Sequence, residues 1–127
     1  MSAPAKPTEP VWQLYRTERD GHPAAILFDQ AAAIDLASAP QTHVLRYKFA
    51  LNESQPDGLT TRAEAEALGR LDNAIEAQSN IRGARYLGRI TTRGERSLFV
   101  LCKAPPQPLS DELFTLVRRA GYTPEVF

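Results

Sequence analysis

The stretch that decides the fold is residues 43–52, which read HVLRYKFALN. Its bulky apolar residues Leu45, Tyr47, Phe49 and Leu51 occur at every second position. Because the side chains of a β-strand alternate between its two faces, this period of two places all four on one face and the basic and small residues on the other. The stretch therefore predicts a half-buried strand with the hydrophobic core on one side.

The residues upstream of this strand predict a β-hairpin. Residues 11–19 and residues 22–29 both carry the bulky apolar side chains that are enriched in strands. Between them lies Asp20-Gly21, a pair that favours a two-residue type I′ turn. Residues 31–41 combine alanines with serine and proline, and this composition leaves both a short helix and a loop open.

The residues downstream predict a helix over 60–78. Thr61 and Glu64 have the spacing of a capping box, in which each side chain satisfies a free backbone N–H of the first turn. The apolar residues that follow at spacings of three and four form one stripe along the helix, made of Leu68, Leu71 and Ile75.

The last third of the chain predicts a second hairpin and a second helix. Residues 84–93 and 96–103 form the hairpin, with Gly94 supplying the positive φ that its turn needs. Ser110 is a good N-cap for a helix that buries Leu113 and Val117. Gly121 ends this helix, and residues 122–127 form a short final strand.

From residue 43 onward the predicted order is β-α-β-β-α-β. This is the ferredoxin-like pattern, an α+β fold in which two helices cover one face of an antiparallel sheet. The N-terminal hairpin precedes this unit and either extends the sheet or caps its uncovered face. We favour extension, because residues 12–15 have the pattern of an ordinary strand.

The bulk composition indicates one domain. The chain has 127 residues, of which 43% are apolar, which suits a single globular domain over residues 11–127. Residues 1–10 are small, polar and proline-rich, and we expect them to form a disordered tail rather than a secretory signal. No apolar run reaches the roughly 20 residues of a membrane span. We therefore expect a cytoplasmic protein that does not bind membranes.

The charge balance argues against a nucleic-acid partner, and the cysteine and histidine residues offer no pattern for metal or redox chemistry. With 15 basic and 15 acidic side chains, the formal net charge is zero, whereas nucleic-acid binders are usually basic. The single cysteine, Cys102, follows an apolar run and is expected to be a buried hydrophobe. His22 and His43 have no catalytic or metal-binding motif around them. We expect no metal, no cofactor and no catalytic residue.

The distribution of charge is the most unusual feature. Residues 82–103 contain six basic residues and one acidic residue. Three of these arginines follow one another at intervals of four and so share one face of a regular strand. Two further basic residues share one face of the strand over 43–52. The candidate surface for a ligand or a partner consists of Arg46, Lys48, Arg85, Arg89 and Arg93.

This surface has a simpler alternative, since a sheet covered on one side needs polar residues on the other. Arg89 is the member that we most expect to be structural. Gly88 beside it lets another backbone approach closely, and the guanidinium of Arg89 could hydrogen-bond to a carboxylate such as Asp72.

Several short motifs resemble the bacterial "domain of unknown function 695" family. They extend from residue 12 to about residue 103 and are Trp12-x-x-Tyr15, Asp57-Gly58, Leu71-Asp72, and Tyr86-Leu87-Gly88-Arg89-Ile90-Thr91 followed by Gly94. The resemblance implies a small α+β module and carries no catalytic residue. It also implies a link to protein contact, because members sometimes occur joined to a domain that resembles an inhibitor of ribonuclease E acting in this way.

Three functions remain open from the sequence. The first is a non-enzymatic module, regulatory or otherwise, whose partner is another protein. The second is a binder of a small anionic ligand on the basic sheet face, which would require a concave pocket. The third is an enzyme, which would require polar groups converging in a cleft. The oligomeric state does not follow from the sequence.

Overall fold

A computed structural model describes residues 9–32, 43–102 and 107–126. Residues 1–8 of the predicted tail lie outside the described residues. So do residues 33–41 of the segment that was predicted to be a loop or a short helix. Six strands and two helices are present in the described residues, and in chain order they are β1 (Trp12–Arg19), β2 (His22–Asp29), β3 (His43–Ala50), α1 (Arg62–Ile81), β4 (Arg85–Thr92), β5 (Glu95–Cys102), α2 (Leu109–Arg119) and β6 (Glu125–Val126).

The strands form one sheet in the order β1-β2-β4-β5-β3-β6, and all neighbours are antiparallel. The predicted α+β architecture, an antiparallel sheet with two helices, is confirmed at this level. The N-terminal hairpin joins the sheet through the pairing of β2 with β4. Six strands in this order therefore make a wider sheet than the four strands of a ferredoxin-like unit.

Both long hairpins turn through two residues with positive φ. Asp20 and Gly21 have φ of 52° and 79°, and Arg93 and Gly94 have φ of 54° and 72°. Two successive positive φ values define a type I′ turn, whose twist matches that of the flanking strands. The two predicted turns are thus confirmed, and both lie at the same end of the sheet because Ala24 pairs with Thr92.

The helices pack against one face of the sheet. The five residues predicted to form their buried stripes are all buried in the core, and they are Leu68, Leu71, Ile75, Leu113 and Val117. They share this core with strand residues such as Tyr47, Leu98 and Val100. The opposite face, here called the open face, carries no helix in the described part of the chain.

The helix starts follow the prediction only in part. Thr61 is the N-cap of α1, and its side chain accepts a hydrogen bond from the backbone N–H of Glu64. Glu64 does not return this bond, because its carboxylate accepts from Asn52 and Glu53 instead. Ser110 is not the N-cap of α2, since that helix already begins at Leu109; its hydroxyl and carbonyl oxygens are acceptors for a tyrosine of β3.

Strand β4 contains an irregularity that changes which side chains share a face. Tyr86 pairs with Val100, but Gly88 pairs with Phe99, so Leu87 is an extra residue in the ladder. Such a bulge shifts the alternation of side chains by one position. Two residues separated by an even number of positions therefore point to opposite faces of the sheet when Leu87 lies between them.

Gly88 has a φ of 143°, which L-residues with a side chain rarely adopt. A Cβ placed on it would lie 2.8 Å from Cα of Phe28 and would also clash with the carbonyl of Leu27. The neighbouring strand β2 thus approaches as closely here as only a glycine permits.

Among the described helices, none is long and apolar enough to cross a membrane.

Candidate ligand-binding groove on the sheet

The register of the strands shows which side chains lie on the open face. Arg46 is opposite Phe99, and Lys48 is opposite Ser97, which is in turn opposite Ile90. Opposite residues of an antiparallel pair point to the same side of the sheet. Because the core residues of β3 alternate with Arg46 and Lys48, these side chains all lie on the open face.

A concave cavity of about 400 Å³ lies on this face, beside the two hairpin turns. Its volume is within the usual range for small-molecule sites. We call it the basic groove, after four of the residues that line it. The full lining comprises Arg19, Asp20, Arg46, Lys48, Ile90, Thr92, Arg93, Glu95, Ser97 and Phe99.

Two of the four basic residues are held by contacts within the groove. Nζ of Lys48 lies 3.3 Å from a carboxylate oxygen of Glu95. Nε of Arg46 donates to the hydroxyl of Ser97 at 3.2 Å, and its guanidinium lies 5.8 Å from the centre of the Phe99 ring. These contacts fix the positions of both side chains and place a cation over an aromatic face.

The other two basic residues, Arg19 and Arg93, come from the hairpin turns. Both are exposed, and neither makes a salt bridge with any of the described residues. Only Asp20 and Glu95 supply negative charge to the lining, and Glu95 already pairs with a lysine. The groove therefore has a surplus of positive charge beside an apolar wall.

The position of Arg93 is fixed by its surroundings. Its positive φ is uncommon for a residue with a long side chain and costs of order 1 kcal/mol or more. Two main-chain hydrogen bonds of the next residue hold the turn: Gly94 N donates to Gly58 O at 2.9 Å, and Leu51 N donates to Gly94 O at 2.8 Å. Gly58 is required there, since a Cβ on it would lie 2.7 Å from Arg93 N.

Two of the five predicted site residues lie elsewhere. Nε of Arg85 donates a hydrogen bond to Oδ2 of the buried Asp29 at 2.7 Å. Arg89 pairs with Asp72 of α1 and so lies on the helix-covered face. The expectation that the three arginines share one face is wrong, because the extra residue Leu87 changes the parity between Arg85 and Arg89.

Asp72 is also close to a second arginine, since Nη1 of Arg96 lies 3.7 Å from its carboxylate. Burial raises the pKa of Asp72, and the charges of Arg89 and Arg96 oppose that rise. Burial, together with the charge of Asp72, raises the pKa of Tyr86 well above its usual value. This cluster lies beneath α1 and holds the helix to the sheet.

The structure does not bring the remaining candidate groups together. His22 opens β2 at the end of the sheet with the turns, whereas His43 opens β3 at the opposite end. Cys102 is buried, as predicted, with Sγ 3.6 Å from the carbonyl of His43. Within the described ranges there is no group of three or more metal-ligating side chains.

Seven of the ten lining residues were not among the candidates from the sequence: Arg19, Asp20, Ile90, Thr92, Glu95, Ser97 and Phe99. Arg19 could have been found, because it directly precedes the Asp20-Gly21 turn and the hairpin extends the sheet. Ile90 could not, since in a regular strand without the bulge it would lie on the face opposite Arg85, Arg89 and Arg93. The groove depends on the true register of β4.

The fold and the groove together define a small α+β module with one covered and one open sheet face. A family model described as "Family of unknown function (DUF695)" matches residues 11–123. The chain therefore belongs to this family, as its motifs suggested. No curated protein and no solved structure shows a significant match to the chain.

Proposed function

We propose that this protein is a non-enzymatic binding module whose basic groove holds a small organic anion. Arg19 and Arg93 would contact the anionic group, and an apolar part of the ligand would pack on Ile90 and Phe99. A ligand of this kind, with a carboxylate or phosphate at one end and a flat apolar body, matches both halves of the lining.

The observation that carries the proposal is the clamped turn at Arg93. A long basic side chain occupies a position with positive φ where Asn or Gly would cost less. Main-chain hydrogen bonds of the adjacent Gly94 with Leu51 and Gly58 hold the turn in place. A strained residue that is held rigidly at the rim of a cavity is the pattern of a pre-organised contact.

A protein partner is the second candidate, and exposed apolar residues on the same face favour it. Tyr15 and Val44 are both exposed and lie on this face farther from the hairpin turns than the groove does. A partner segment with acidic residues could place a carboxylate between the arginines and lie across these residues. Such a segment would bury more surface than a small anion does.

Three further assignments belong to this proposal. Residues 43–126 form a ferredoxin-like unit to which the hairpin is added, and the order β4-β5-β3-β6 supports this classification. The protein works in the cytoplasm, where a free cysteine such as Cys102 stays reduced. It comes from a bacterium, as its motifs imply.

The test is a titration followed by ¹H–¹⁵N NMR, with phosphate, citrate, AMP and an acidic peptide as separate probes. Binding in the groove should shift the amide signals of Thr92, Arg93 and Phe99, and the response should weaken with salt because exposed charges are screened over about 8 Å at physiological ionic strength. AMP combines an anion with a flat apolar body and should bind more tightly than phosphate. A stronger response to the peptide would favour the protein partner.

Matched variants locate the site. Arg93→Asn keeps a residue that tolerates positive φ and should weaken binding about tenfold, because a charged hydrogen bond contributes about 1.5–3 kcal/mol. Arg119→Asn removes a charge from the exposed end of α2, far from the groove, and should leave affinity unchanged. Equal losses in the two variants, or no response to any probe, would reject the groove as the site.

A further inference from the structure

Within the described residues, the first strand of the sheet has one edge that pairs with no other strand. All eight residues of β1 pair with β2, from Trp12 opposite Asp29 to Arg19 opposite His22. In the strand order β1 is terminal, and the other terminal strand, β6, has only two residues. A long edge strand of this kind exposes a row of backbone donors and acceptors that can pair with another chain.

The backbone groups that face outward can be identified. In a two-residue hairpin the residues that flank the turn, here Arg19 and His22, form a hydrogen-bonded pair. At the other end Gln30 N donates to Val11 O at 2.9 Å. The odd-numbered residues therefore point their N–H and C=O groups toward β2. The even-numbered residues point theirs outward, and they are Trp12, Leu14, Arg16 and Glu18.

This edge has only one of the devices that usually protect an edge strand, the charged side chains of Arg16, Glu18 and Arg19. It contains no proline, its register with β2 is unbroken, and it has no lysine. It also has exposed apolar residues at its centre, because Leu14 is 65% and Tyr15 47% exposed. Tyr15 lies edge-on to Phe28, with ring centres 5.7 Å apart, so an aromatic pair ends abruptly at the edge.

We propose that β1 pairs with β1 of a second copy of this chain, in an antiparallel arrangement with a two-fold axis at Tyr15. In this register Trp12 is opposite Glu18 and Leu14 is opposite Arg16 of the other copy. It is the one register in which all four outward-facing residues find partners, with about eight main-chain hydrogen bonds. A shift that centres the axis on Arg16 loses bonds and places two arginines opposite each other.

The pairing continues existing features of the sheet. The two Tyr15 rings meet across the axis, so the contact with Phe28 extends into a row of four aromatic rings. Because the axis is perpendicular to the sheet, both pairs of helices lie on one side of a twelve-stranded sheet. Both basic grooves then lie on the other side, so the dimer would present two grooves on one surface.

Disulfide crosslinking tests the register in a background where Cys102 is replaced by serine. Tyr15→Cys should form an intermolecular disulfide readily, because a non-hydrogen-bonded pair brings the two Cα atoms to about 4.5 Å. Thr17→Cys is the matched control on the same face. In the proposed register it lies opposite Gln13, and the two thiols would be about 13 Å apart along the strand. Equal crosslinking of both variants would overturn the register.

Analytical ultracentrifugation tests the dimer itself. The wild-type chain should sediment at twice its mass of 14.1 kDa. Leu14→Pro removes an outward N–H without touching the pairing with β2, and it should give a folded monomer by circular dichroism and sedimentation. A wild-type monomer at every concentration up to 1 mM would overturn the proposal. So would a dimer that forms only after residues 1–8 are deleted, since that segment would then be the natural cover of the edge.

Discussion

Arg89 of β4 donates a hydrogen bond to the carboxylate of Asp72, and this contact ties the middle of the sheet to helix α1. Arg96 of β5 approaches the same carboxylate, and its Nε also donates to Thr91 at 3.0 Å. Two arginines from neighbouring strands thus share one buried acid. The pair is possible only because the bulge turns Arg89 toward the helix.

Replacing Asp72 by alanine should destabilise the protein by about 3–5 kcal/mol, because the buried guanidinium of Arg96 and the half-buried one of Arg89 lose their counter-charge. Urea unfolding at pH 7 measures this free energy. Glu112→Ala is the matched control. It breaks the exposed ion pair in which Nε of Arg82 lies 2.7 Å from Oε1 of Glu112. That change should cost far less, because solvent screens an exposed ion pair. Similar costs for the two variants would show that the buried cluster is not a main support of the fold.

Gly88→Ala should also be strongly destabilising, by about 2 kcal/mol or more, since it adds a Cβ at positive φ against the backbone of β2. Gly69→Ala provides the opposite case. Gly69 lies within α1, and a Cβ on it would meet nothing within 4 Å. Alanine should stabilise the helix there by up to about 1 kcal/mol. Thermal unfolding of both variants decides this, and a neutral Gly88→Ala would mean that the bulge is absent in solution.

The sequence was informative wherever a local mechanism sets the structure. The Asp20-Gly21 and Gly94 turns, the Thr61 cap and the apolar stripe of α1 depend on residues within a few positions of one another. Local rules are sufficient for such features. The helix boundaries were close, because α1 runs from Arg62 to Ile81 and was predicted over 60–78.

The candidate site was harder to predict because it depends on register. A single extra residue, Leu87, separates Arg85 from Arg89 and brings Ile90 to the open face. Nothing in the local sequence except Gly88 marks a bulge, and a glycine in a strand has several possible causes. Only the pairing of β4 with its neighbours β2 and β5 determines on which face of the sheet each arginine lies.

Cys102 should react slowly with a thiol reagent in the native protein. It is 7% exposed, and burial raises the pKa of its thiol, so less of the reactive thiolate is present at neutral pH. Labelling with Ellman's reagent at pH 8 should be at least about tenfold slower in buffer than in urea. Ile81→Cys in a Cys102→Ser background gives an exposed thiol for comparison, and it should react at similar rates in both conditions. Rapid native labelling of Cys102 would contradict its burial.

Glu64 should make the stability of the protein depend on pH in the acid range. Burial alone would raise the pKa of Glu64, but Tyr122 donates to its carboxylate at 2.7 Å, and Glu53 N and Asn52 N donate at 2.8 and 2.7 Å. With the nearby charge of Arg96, these bonds hold the pKa below its usual value. The carboxylate is therefore stabilised by folding in its charged form.

Because the folded pKa is the lower one, the stabilising contribution of Glu64 is fully present above its unfolded pKa of about 4.3 and is lost as the pH falls through the folded value. At pH 7, Glu64→Gln should cost about 1–3 kcal/mol. The difference from wild type should shrink steadily below about pH 4. Glu66→Gln, at an exposed position of the same helix, is the control for the substitution itself and should change the stability at pH 7 by no more than about 0.5 kcal/mol. Urea unfolding from pH 7 to pH 3 measures all three proteins, and a gap between wild type and Glu64→Gln that stays constant across this range would show that Glu64 is not held as a carboxylate by these bonds.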